Sequence, residues 1–282
     1  MPELPEVETV KKVLLSWVKD KKITNAYIYH LGIIEDLTCI KGETILDVTR
    51  YGKNLMFVLD NYVLTSHLRM EGKYYYAKKE KGINKDGKIN FKYEGKEDLS
   101  KIRKHTHVIL ELDNNDLLLY HDVRKFGKMH LYDKNKFNIS LLGVGKEPFD
   151  MEVDELFNVL QRKKNPIKEV LLDQSVMSGI GNIYADEICF KCGFLPTKDA
   201  SSLTKKEVEN LIKVARSTLL DAIQDGGSTI KSYHSGNGVD GLFQTKLLVY
   251  GRKGEPCSKC GNPITKIKLK GRGTCFCTFC QK

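Results

Sequence analysis

The chain has 282 residues, of which 41% are hydrophobic and 29% charged, and its formal net charge at pH 7 is +10. This composition excludes an intrinsically disordered chain, and the length favours two domains with cores of their own. No apolar run is long enough to cross a bilayer, and the charged start lacks the apolar segment of a signal peptide. We therefore expect a cytoplasmic protein, with no membrane partner, whose positive charge indicates a polyanionic one.

The opening residues, MPELPEVETV, have two explanations. One is helix initiation, because proline suits a first helical turn, glutamates suit the positive end of the dipole, and apolar residues recur at helical spacing over 5–18. The other is chemical, because removal of Met1 would leave Pro2 with a free secondary amine, a nucleophile toward an aldehyde-level carbon. Glu3 and Glu6 would then be candidate general acids or bases beside it. These ten residues alone do not decide between the two.

The middle of the chain changes its periodicity once. Residues 23–132 are rich in β-branched and aromatic residues, with LDNNDL typical of a hairpin turn. Within them a Lys-, Gly- and Asn-rich stretch over 78–104 lacks periodicity, which predicts a surface excursion. From residue 154 the period becomes helical and predicts about four helices, in DELFNVLQ, PIKEVLLDQ, NIYADEICF and TKKEVENLIKVARSTLLDAIQ. The fold class is therefore α+β, with a boundary near 145–150.

The last segment combines positive charge with a metal-binding spacing. From Gly241 to Lys282 there are nine Lys or Arg residues and one acid. Two Cys-x-x-Cys pairs, sixteen residues apart, fit a four-thiolate structural zinc site, and a reducing cytosol favours metal over disulfides. Between the pairs, ITKIKLKGRGTCF alternates like a hairpin with GRG at its turn. We expect one structural zinc ion, bound by Cys257, Cys260, Cys277 and Cys280.

The other four cysteines are predicted to be structural. Cys189 and Cys192 form a third Cys-x-x-Cys pair, but they lie in a predicted helix that ends at Gly193, and no further pair completes a site. Cys39 and Cys275 are isolated. A redox role for the helical pair is the minor alternative.

The stretch SGIGNIYADE predicts a tight glycine turn that opens a helix near Asn182. A helix N-terminus reached through glycines offers free backbone N–H groups and a positive dipole end, which suit a DNA phosphate. The alternative is an ordinary capped helix, and the basic C-terminal segment shifts the balance toward DNA.

Several motifs, in order, resemble those of formamidopyrimidine-DNA glycosylase, the bacterial enzyme for oxidised purines: PELPEVETV, HLRMEG, DVRKFG, GIGNIYADE and YGRKGEPC with the zinc cysteines. The resemblance runs along nearly the full chain. It implies an N-terminal β-sandwich catalytic domain over 1–148, a helix–two-turns–helix DNA-binding domain over 149–240, and a zinc finger over 241–282. It also implies a glycosylase and abasic-site lyase that flips out its target base and cleaves the strand by β,δ-elimination.

The resemblance assigns catalytic roles to five residues. Pro2 would attack C1′ of the deoxyribose. Glu3 matches the family's acid near the sugar, and Glu6 matches a residue near the amine and the lesion. Lys53, in RYGKNL, matches the proton donor of β-elimination. Arg272 matches the arginine of δ-elimination and phosphate contact, for which a guanidinium is suited.

The resemblance also implies contacts with DNA. Met70 would be the apolar wedge that fills the hole left by the flipped base, with Arg124 and Phe126 beside it. The alternative, that Met70 and Phe126 are ordinary core residues, is disfavoured by their charged neighbours. The loop YHSGNGVDGLF matches the segment that covers the flipped base. Further predicted DNA-binding positions are His105, Lys164, Asn182 and, as an additional candidate, Lys168.

Two other functions stay open. Endonuclease VIII shares the architecture but prefers oxidised pyrimidines, whereas the PELPEVET start and the wedge residues favour the purine enzyme. A non-catalytic, zinc-dependent DNA-binding protein would gain nothing from a carboxylate-rich N-terminus that repels DNA. We expect a monomer whose partner is damaged double-stranded DNA, and no small-molecule cofactor, since neither a dinucleotide-binding nor a P-loop motif occurs.

Overall fold

The structure, a computed structural model, describes residues 1–84, 87–95, 97–228 and 242–282. Its described residues form two compact units, the first made of Met1–Pro2 and Glu6–Leu141, the second of Glu3–Pro5, Leu142–Ser228 and 242–282. Within these ranges every helix is too short or too polar to span a bilayer. The loop predicted to cover a flipped base lies outside the described residues except for its last two.

Helix α1 (Leu4–Val18), which lies in the first unit from Glu6 onward, confirms the predicted N-terminal helix. Pro5 lies in its first turn, where a missing N–H removes no helical bond. Its buried residues Val7, Val10, Leu14 and Val18 recur at three- to four-residue intervals and join the main core of this unit.

Two antiparallel sheets make up most of the rest of this unit. One has four strands in the order β2-β3-β4-β9, and the other has five in the order β1-β7-β8-β5-β6. In chain order the strands are β1 (Ile23–Ile28), β2 (Ile45–Tyr51), β3 (Asn54–Leu59), β4 (Tyr62–His67), β5 (Lys73–Ile83), β6 (Ile89–Lys92), β7 (Thr106–Leu112), β8 (Asp116–His121) and β9 (Lys128–Asp133).

The five-stranded sheet is buried on both faces. Along β8, Leu118 and Tyr120 belong to the main core with α1, whereas Leu117 and Leu119 belong to a second apolar cluster. Because side chains alternate across a strand, these two clusters lie on opposite faces of the sheet. This explains why β8 is a continuous apolar run and not an alternating one.

The predicted irregular excursion over 78–104 is instead largely ordered. Strand β5 continues to Ile83, β6 pairs with it, and helix α2 (Leu99–His105) follows. Asp98 caps α2 by accepting a hydrogen bond from the N–H of Ser100 (2.9 Å). The pairing of β5 with β6 shifts register between Lys79 and Ile83, which breaks the alternation that would reveal a strand.

The second unit is helical and ends in a hairpin. Its helices are α3 (Val153–Leu160), α4 (Ile167–Leu172), α5 (Asn182–Cys192) and α6 (Lys205–Gln224), in agreement with the four that the sequence predicts. The hairpin strands are β10 (Thr265–Leu269) and β11 (Arg272–Phe276). Leu269 pairs with Arg272, so the turn is formed by residues 270–271, one residue earlier than the predicted GRG.

Candidate active site and zinc centre

Glu3 is fixed by the first turn of α5. Its Oε2 accepts hydrogen bonds from the backbone N–H groups of Gly181 (2.6 Å) and Tyr184 (3.3 Å), and its Oε1 accepts one from Ile183 (2.9 Å). The side chain is 2% exposed. These N–H groups have no partner within the helix, and the positive end of the dipole favours a carboxylate. The residue that follows Pro2 is therefore held in one position.

The glycine turn before α5 is built to receive this carboxylate. The N–H of Leu4 donates to the carbonyl of Gly179 (3.0 Å), and Gln174 accepts from the N–H of Gly179 (3.0 Å). A Cβ on Gly181 would lie 2.3 Å from Cδ of Glu3. The prediction that this helix N-terminus binds a phosphate is thus wrong for these N–H groups, because the chain's own carboxylate occupies them.

The other residues predicted around the N-terminal amine belong to the first unit. Pro2 and Glu6 are buried, and Lys53, in the turn between β2 and β3, is 4% exposed. Burial, together with the charges of Arg69 and Lys53, lowers the pKa of His67 to about 4. The N–H of Arg69 donates to Nδ1 of His67 (3.0 Å), which fits a neutral ring. A buried ammonium is uncommon in a structural role and marks a functional candidate.

Met70, Arg124 and Phe126 form one exposed cluster. Nη1 of Arg124 lies 3.2 Å from Sδ of Met70, and its guanidinium carbon lies 4.5 Å from the ring centroid of Phe126. Met70 is 38% exposed and Phe126 49%. Two large apolar side chains held in solvent against a cation are not core residues, so that alternative is wrong.

A buried carboxylate that the sequence analysis missed organises this cluster. Asp122 is fully buried, and its two oxygens accept from the N–H groups of Arg124 (2.9 Å) and Gly127 (2.8 Å). Lys125, between them, has a left-handed φ of 58°, a conformation that few side chains adopt. An aspartate directly after a strand and before a turn was the available signal.

His105 ends α2 beside this loop. Its carbonyl accepts from the N–H of Asp122 (3.0 Å), and its ring lies 5.7 Å from that of His121. Burial is the main cause that lowers the pKa of both imidazoles, that of His121 to about 4.

The predicted DNA contact of Lys168 is contradicted. Its side chain is 1% exposed, and its Nζ lies 2.7 Å from Oδ1 of Asp186, which is fully buried. The same ammonium donates to Thr274 Oγ1 (2.8 Å) and to the carbonyl of Gly273 (3.1 Å). Burial raises the pKa of Asp186 to about 6, against the opposing effect of Lys168. Because these bonds use its ammonium, Lys168 supports the hairpin and does not face a phosphate.

The remaining predicted contacts in the second unit lie at its surface. Arg272 is exposed and follows the hairpin turn, and Lys164 is exposed before α4. Asn182 donates from Nδ2 to the carbonyl of Gly273 (3.0 Å), which positions the residue next to Arg272. Arg272 and Lys270 also line a cavity of about 330 Å³.

The four predicted zinc ligands converge. Sγ of Cys257 lies 3.9 Å from that of Cys280, Sγ of Cys260 lies 3.5 Å from that of Cys277, and all four sulfurs lie within 4.8 Å of one another. A tetrahedral zinc with Zn–S bonds of about 2.3 Å requires sulfurs about 3.8 Å apart. The donor set and its spacing therefore fit one structural zinc ion with no open ligand position.

The other cysteines do not join this centre. Cys275 is buried, and its N–H donates to Oδ2 of Asp186 (2.9 Å). Burial raises the pKa of Cys192 to about 12 and that of Cys189 well above its usual value. Since the thiolate is the reactive form, a redox role for this pair is disfavoured.

Glu187 is a second buried carboxylate that the sequence analysis missed. It accepts from the N–H groups of Leu248, Val249 and Tyr250, each at 2.9 Å, at the entry to the zinc finger. Glu187 and Asp186 are adjacent buried acids in a helix whose other buried residues are largely apolar. Two adjacent acids in an apolar helix were a signal that each must bind a partner.

A β-sandwich unit and a helical unit ending in a four-thiolate zinc hairpin define the architecture of a zinc-finger DNA glycosylase. Three family models match the chain: the formamidopyrimidine-DNA glycosylase N-terminal domain over 1–129, its H2TH domain over 143–234, and the zinc finger found in FPG and IleRS over 254–282. The chain belongs to the formamidopyrimidine-DNA glycosylase family.

Curated relatives and solved structures are similar to this chain along its whole length. The formamidopyrimidine-DNA glycosylase of Shouchella clausii is 43% identical and that of Bacillus licheniformis 42%, with at least 99% of each chain covered. The Lactococcus lactis Fpg in complex with abasic-site DNA has a TM-score of 0.84 at 33% identity, covering 99% of both chains. The wild-type Lactococcus lactis Fpg with N7-benzyl-Fapy-dG DNA has a TM-score of 0.85 at 34% identity, covering 100% of both.

Proposed function

We propose that the chain is a base-excision DNA glycosylase and abasic-site lyase for oxidised purines, with Pro2 as its nucleophile. One observation carries the catalytic part: Pro2 precedes a glutamate that three backbone hydrogen bonds fix on α5. The family relatives and the complexes with abasic-site and Fapy-dG DNA support the substrate class. The reaction requires that Met1 be removed, because its peptide bond would otherwise occupy the Pro2 nitrogen.

The reaction follows from the chemistry of a secondary amine. The Pro2 nitrogen forms a bond to C1′ while the glycosidic bond breaks, and the base leaves with its electron pair and takes up a proton. Opening of the sugar ring then gives an iminium, which draws electrons from the bond to the 2′ hydrogen. Loss of that proton expels the 3′ phosphate by β-elimination, and a second elimination expels the 5′ phosphate.

The remaining catalytic residues have roles that fit their positions. Lys53, buried in the first unit, is the proton donor of β-elimination, and Glu6 acts near the amine and the lesion. Glu3 acts as the acid near the sugar, and its bonds to α5 set its orientation. Arg272, exposed after the hairpin turn, holds a phosphate bidentately during δ-elimination.

DNA is bound by three groups of residues in this proposal. Met70 is the wedge that replaces the flipped base, while Arg124 and Phe126 contact the orphaned partner base and its neighbours. Phosphate contacts position the duplex and carry no sequence information. The residues that make them are His105, Lys164 and Asn182.

The division into domains at 1–148, 149–240 and 241–282 remains part of the proposal. The protein acts as a cytoplasmic monomer at the bacterial nucleoid and needs no small-molecule cofactor beyond its structural zinc. Damaged double-stranded DNA is its partner.

Borohydride trapping tests the nucleophile. The zinc-loaded protein, shown by mass spectrometry to lack Met1, is mixed with a duplex carrying one 8-oxoguanine opposite cytosine, and borohydride is added. We expect a covalent protein–DNA adduct that maps to Pro2. Lys53→Gln is the matched control, because it removes a buried lysine amine of the same unit and should leave the attachment residue unchanged.

Each other outcome has a distinct meaning. An adduct at Lys53 would reject Pro2 as the nucleophile. An adduct with an oxidised pyrimidine but none with 8-oxoguanine would favour an endonuclease VIII-like specificity. Binding without any adduct would favour a non-catalytic DNA-binding protein.

A further inference from the structure

The segment over 78–104 has no role in the proposed reaction, yet it is strongly basic. It contains ten Lys or Arg residues and five acids in 27 residues. Its described part consists of the end of β5, strand β6 and helix α2. Some residues of this segment can stabilise the fold and others can bind DNA. The contacts of each residue show which of the two roles it has.

The apolar side of the segment covers the outer face of the five-stranded sheet. Phe91 of β6 and Ile102 of α2 are buried in the same cluster as Leu117 and Leu119 of β8. Arg103 packs against this side, with its guanidinium carbon 5.4 Å from the ring centroid of Phe91 and Nη2 donating to the Phe91 carbonyl (2.8 Å). The structural role therefore belongs to these residues, and it leaves the opposite side of α2 in solvent.

Lys88 clamps the C-terminal end of α2. Its Nζ donates to the carbonyls of Arg103 (3.0 Å), Lys104 (3.2 Å) and Thr106 (2.6 Å). Carbonyls in the last turn lack helical partners and lie at the negative end of the dipole. An ammonium at this position donates hydrogen bonds to these carbonyls and interacts favourably with the dipole. The clamp fixes the end of a helix that, at seven residues, would be marginal on its own.

The clamped end of α2 adjoins the loop that carries the wedge cluster. The His105 carbonyl accepts from the N–H of Asp122, the buried residue that shapes this loop. After burial, the charges of Lys104, Lys88 and Lys125 are the causes that lower the pKa of the His105 imidazole. Cations of the segment and of the loop therefore gather at one corner of the first unit.

Two lysines on α2 remain available at this corner. Lys78, Lys79 and Lys92 form ion pairs with Asp116, Glu111 and Glu94. Lys101 and Lys104 are exposed, one helical turn apart, and form no ion pair with any residue that the structure describes. Lys101 lies near the capping Asp98 without pairing with it.

We propose that the 78–104 segment is an accessory DNA-binding element in which α2 presents Lys101 and Lys104 to backbone phosphates beside the wedge loop. The inference rests on the proposed DNA substrate and extends its footprint. The partner is the sugar–phosphate backbone of the duplex, since two flexible ammonium groups neutralise phosphates without reading bases.

The test is the salt dependence of DNA binding by the full-length, zinc-loaded protein. The double variant Lys101→Met/Lys104→Met keeps the side-chain length but removes both charges. The control is Lys41→Met. Lys41 is exposed and lies two residues before Glu43, whose carboxylate accepts a hydrogen bond from the N–H of Asn61 (2.7 Å) in the turn between β3 and β4. That turn lies at the other end of β4 from Met70, about 20 Å away for a six-residue strand.

Affinity is measured from low to moderate salt for two duplexes, one with a tetrahydrofuran abasic analogue and one undamaged. The slope of log K against log salt is negative, and its magnitude should decrease by about 0.9 for each lysine–phosphate interaction that is removed. The double variant should therefore have a slope that is shallower by up to about 1.8 with both duplexes. Lys41→Met should retain the wild-type slope.

Two results would overturn the proposal. One is a slope for the double variant equal to that of Lys41→Met. The other is weaker binding of the abasic duplex alone, which would indicate a distorted wedge loop and not a phosphate contact. Failure of the wild type to excise 8-oxoguanine would reject the proposed function independently of these slopes.

Discussion

Replacing Lys168 with methionine separates a structural lysine from a DNA-binding one. The ammonium is 1% exposed and lies 2.7 Å from the fully buried carboxylate of Asp186. Removing one partner of a buried ion pair leaves an uncompensated charge and costs about 3–5 kcal/mol. That is a large share of the roughly 5–15 kcal/mol that holds a domain folded. We expect Lys168→Met to lower the urea midpoint strongly, and Lys164→Met, which removes an exposed charge, to leave it unchanged.

The pH dependence of this deficit identifies its cause. Asp186 already has a pKa raised by burial to about 6, and loss of Lys168 should raise it further. A carboxyl whose pKa is higher in the folded than in the unfolded state loses stability as pH rises between the two values. The deficit of Lys168→Met relative to wild type should therefore be larger at pH 8 than at pH 5. Lys168→Met/Asp186→Asn should recover much of it, because the asparagine is neutral and still accepts from Cys275.

Urea unfolding followed through zinc release reports on the unit that contains both residues. DNA affinity measured against salt gives the competing readout. A structural role for Lys168 is refuted if Lys168→Met unfolds at the wild-type urea concentration while its salt slope falls by about 0.9, as expected when one phosphate interaction is removed. Lys164→Met should show that opposite pattern, with a reduced slope and unchanged stability.

Three further predictions concern pH, the glycine turn and the metal. Burial lowers the pKa of His67, His107 and His121 to about 4, below the usual 6.5, so the unfolded state binds more protons between these values. Stability should be retained above about pH 6.5 and fall as pH drops toward 4, by up to ~4 kcal/mol per pH unit for three sites, and a flat profile of urea midpoints over this range would contradict it. Gly181→Ala puts a Cβ 2.3 Å from Cδ of Glu3, and single-turnover excision should slow about tenfold or more with zinc content unchanged; a wild-type rate would show that the anchoring is dispensable. Zinc removal by a chelator should unfold the hairpin and abolish tight DNA binding, reversibly on zinc addition; circular dichroism and binding titrations check this, and unchanged affinity would separate the finger from DNA binding.

Local patterns predicted much of this structure because their signals lie within a few residues. The zinc ligands follow from spacing alone. The start of α6 is marked in the sequence by Thr204 and Glu207, whose side chains each bind the other's backbone N–H in a capping box. Helix α1 follows from its apolar period and from Pro5. These elements need no knowledge of what they contact.

Features that depend on distant partners were missed or misassigned. Strand β6 and α2 are stabilised by Phe91 and Ile102, which pack on the five-stranded sheet, and by Lys88, which binds the carbonyls at the end of α2. These contacts join residues that are far apart in sequence. Lys168 has the sequence appearance of a surface lysine, and only its burial against Asp186 reveals its role. A charged residue carries no mark in sequence of whether its partner is a phosphate or another side chain.

The opening glutamates show that helix initiation explains only part of the N-terminal sequence. Glu6 lies in the first turn of α1, as helix initiation requires, but Glu3 serves a different helix. Its carboxylate binds the start of α5, while Asp186 and Glu187 in the same helix bind Cys275 and the chain that enters the finger. One helix therefore sets the residue after the proposed nucleophile and also the hairpin that presents the finger arginine. A disturbance at either end of α5 should therefore affect both Glu3 and the hairpin.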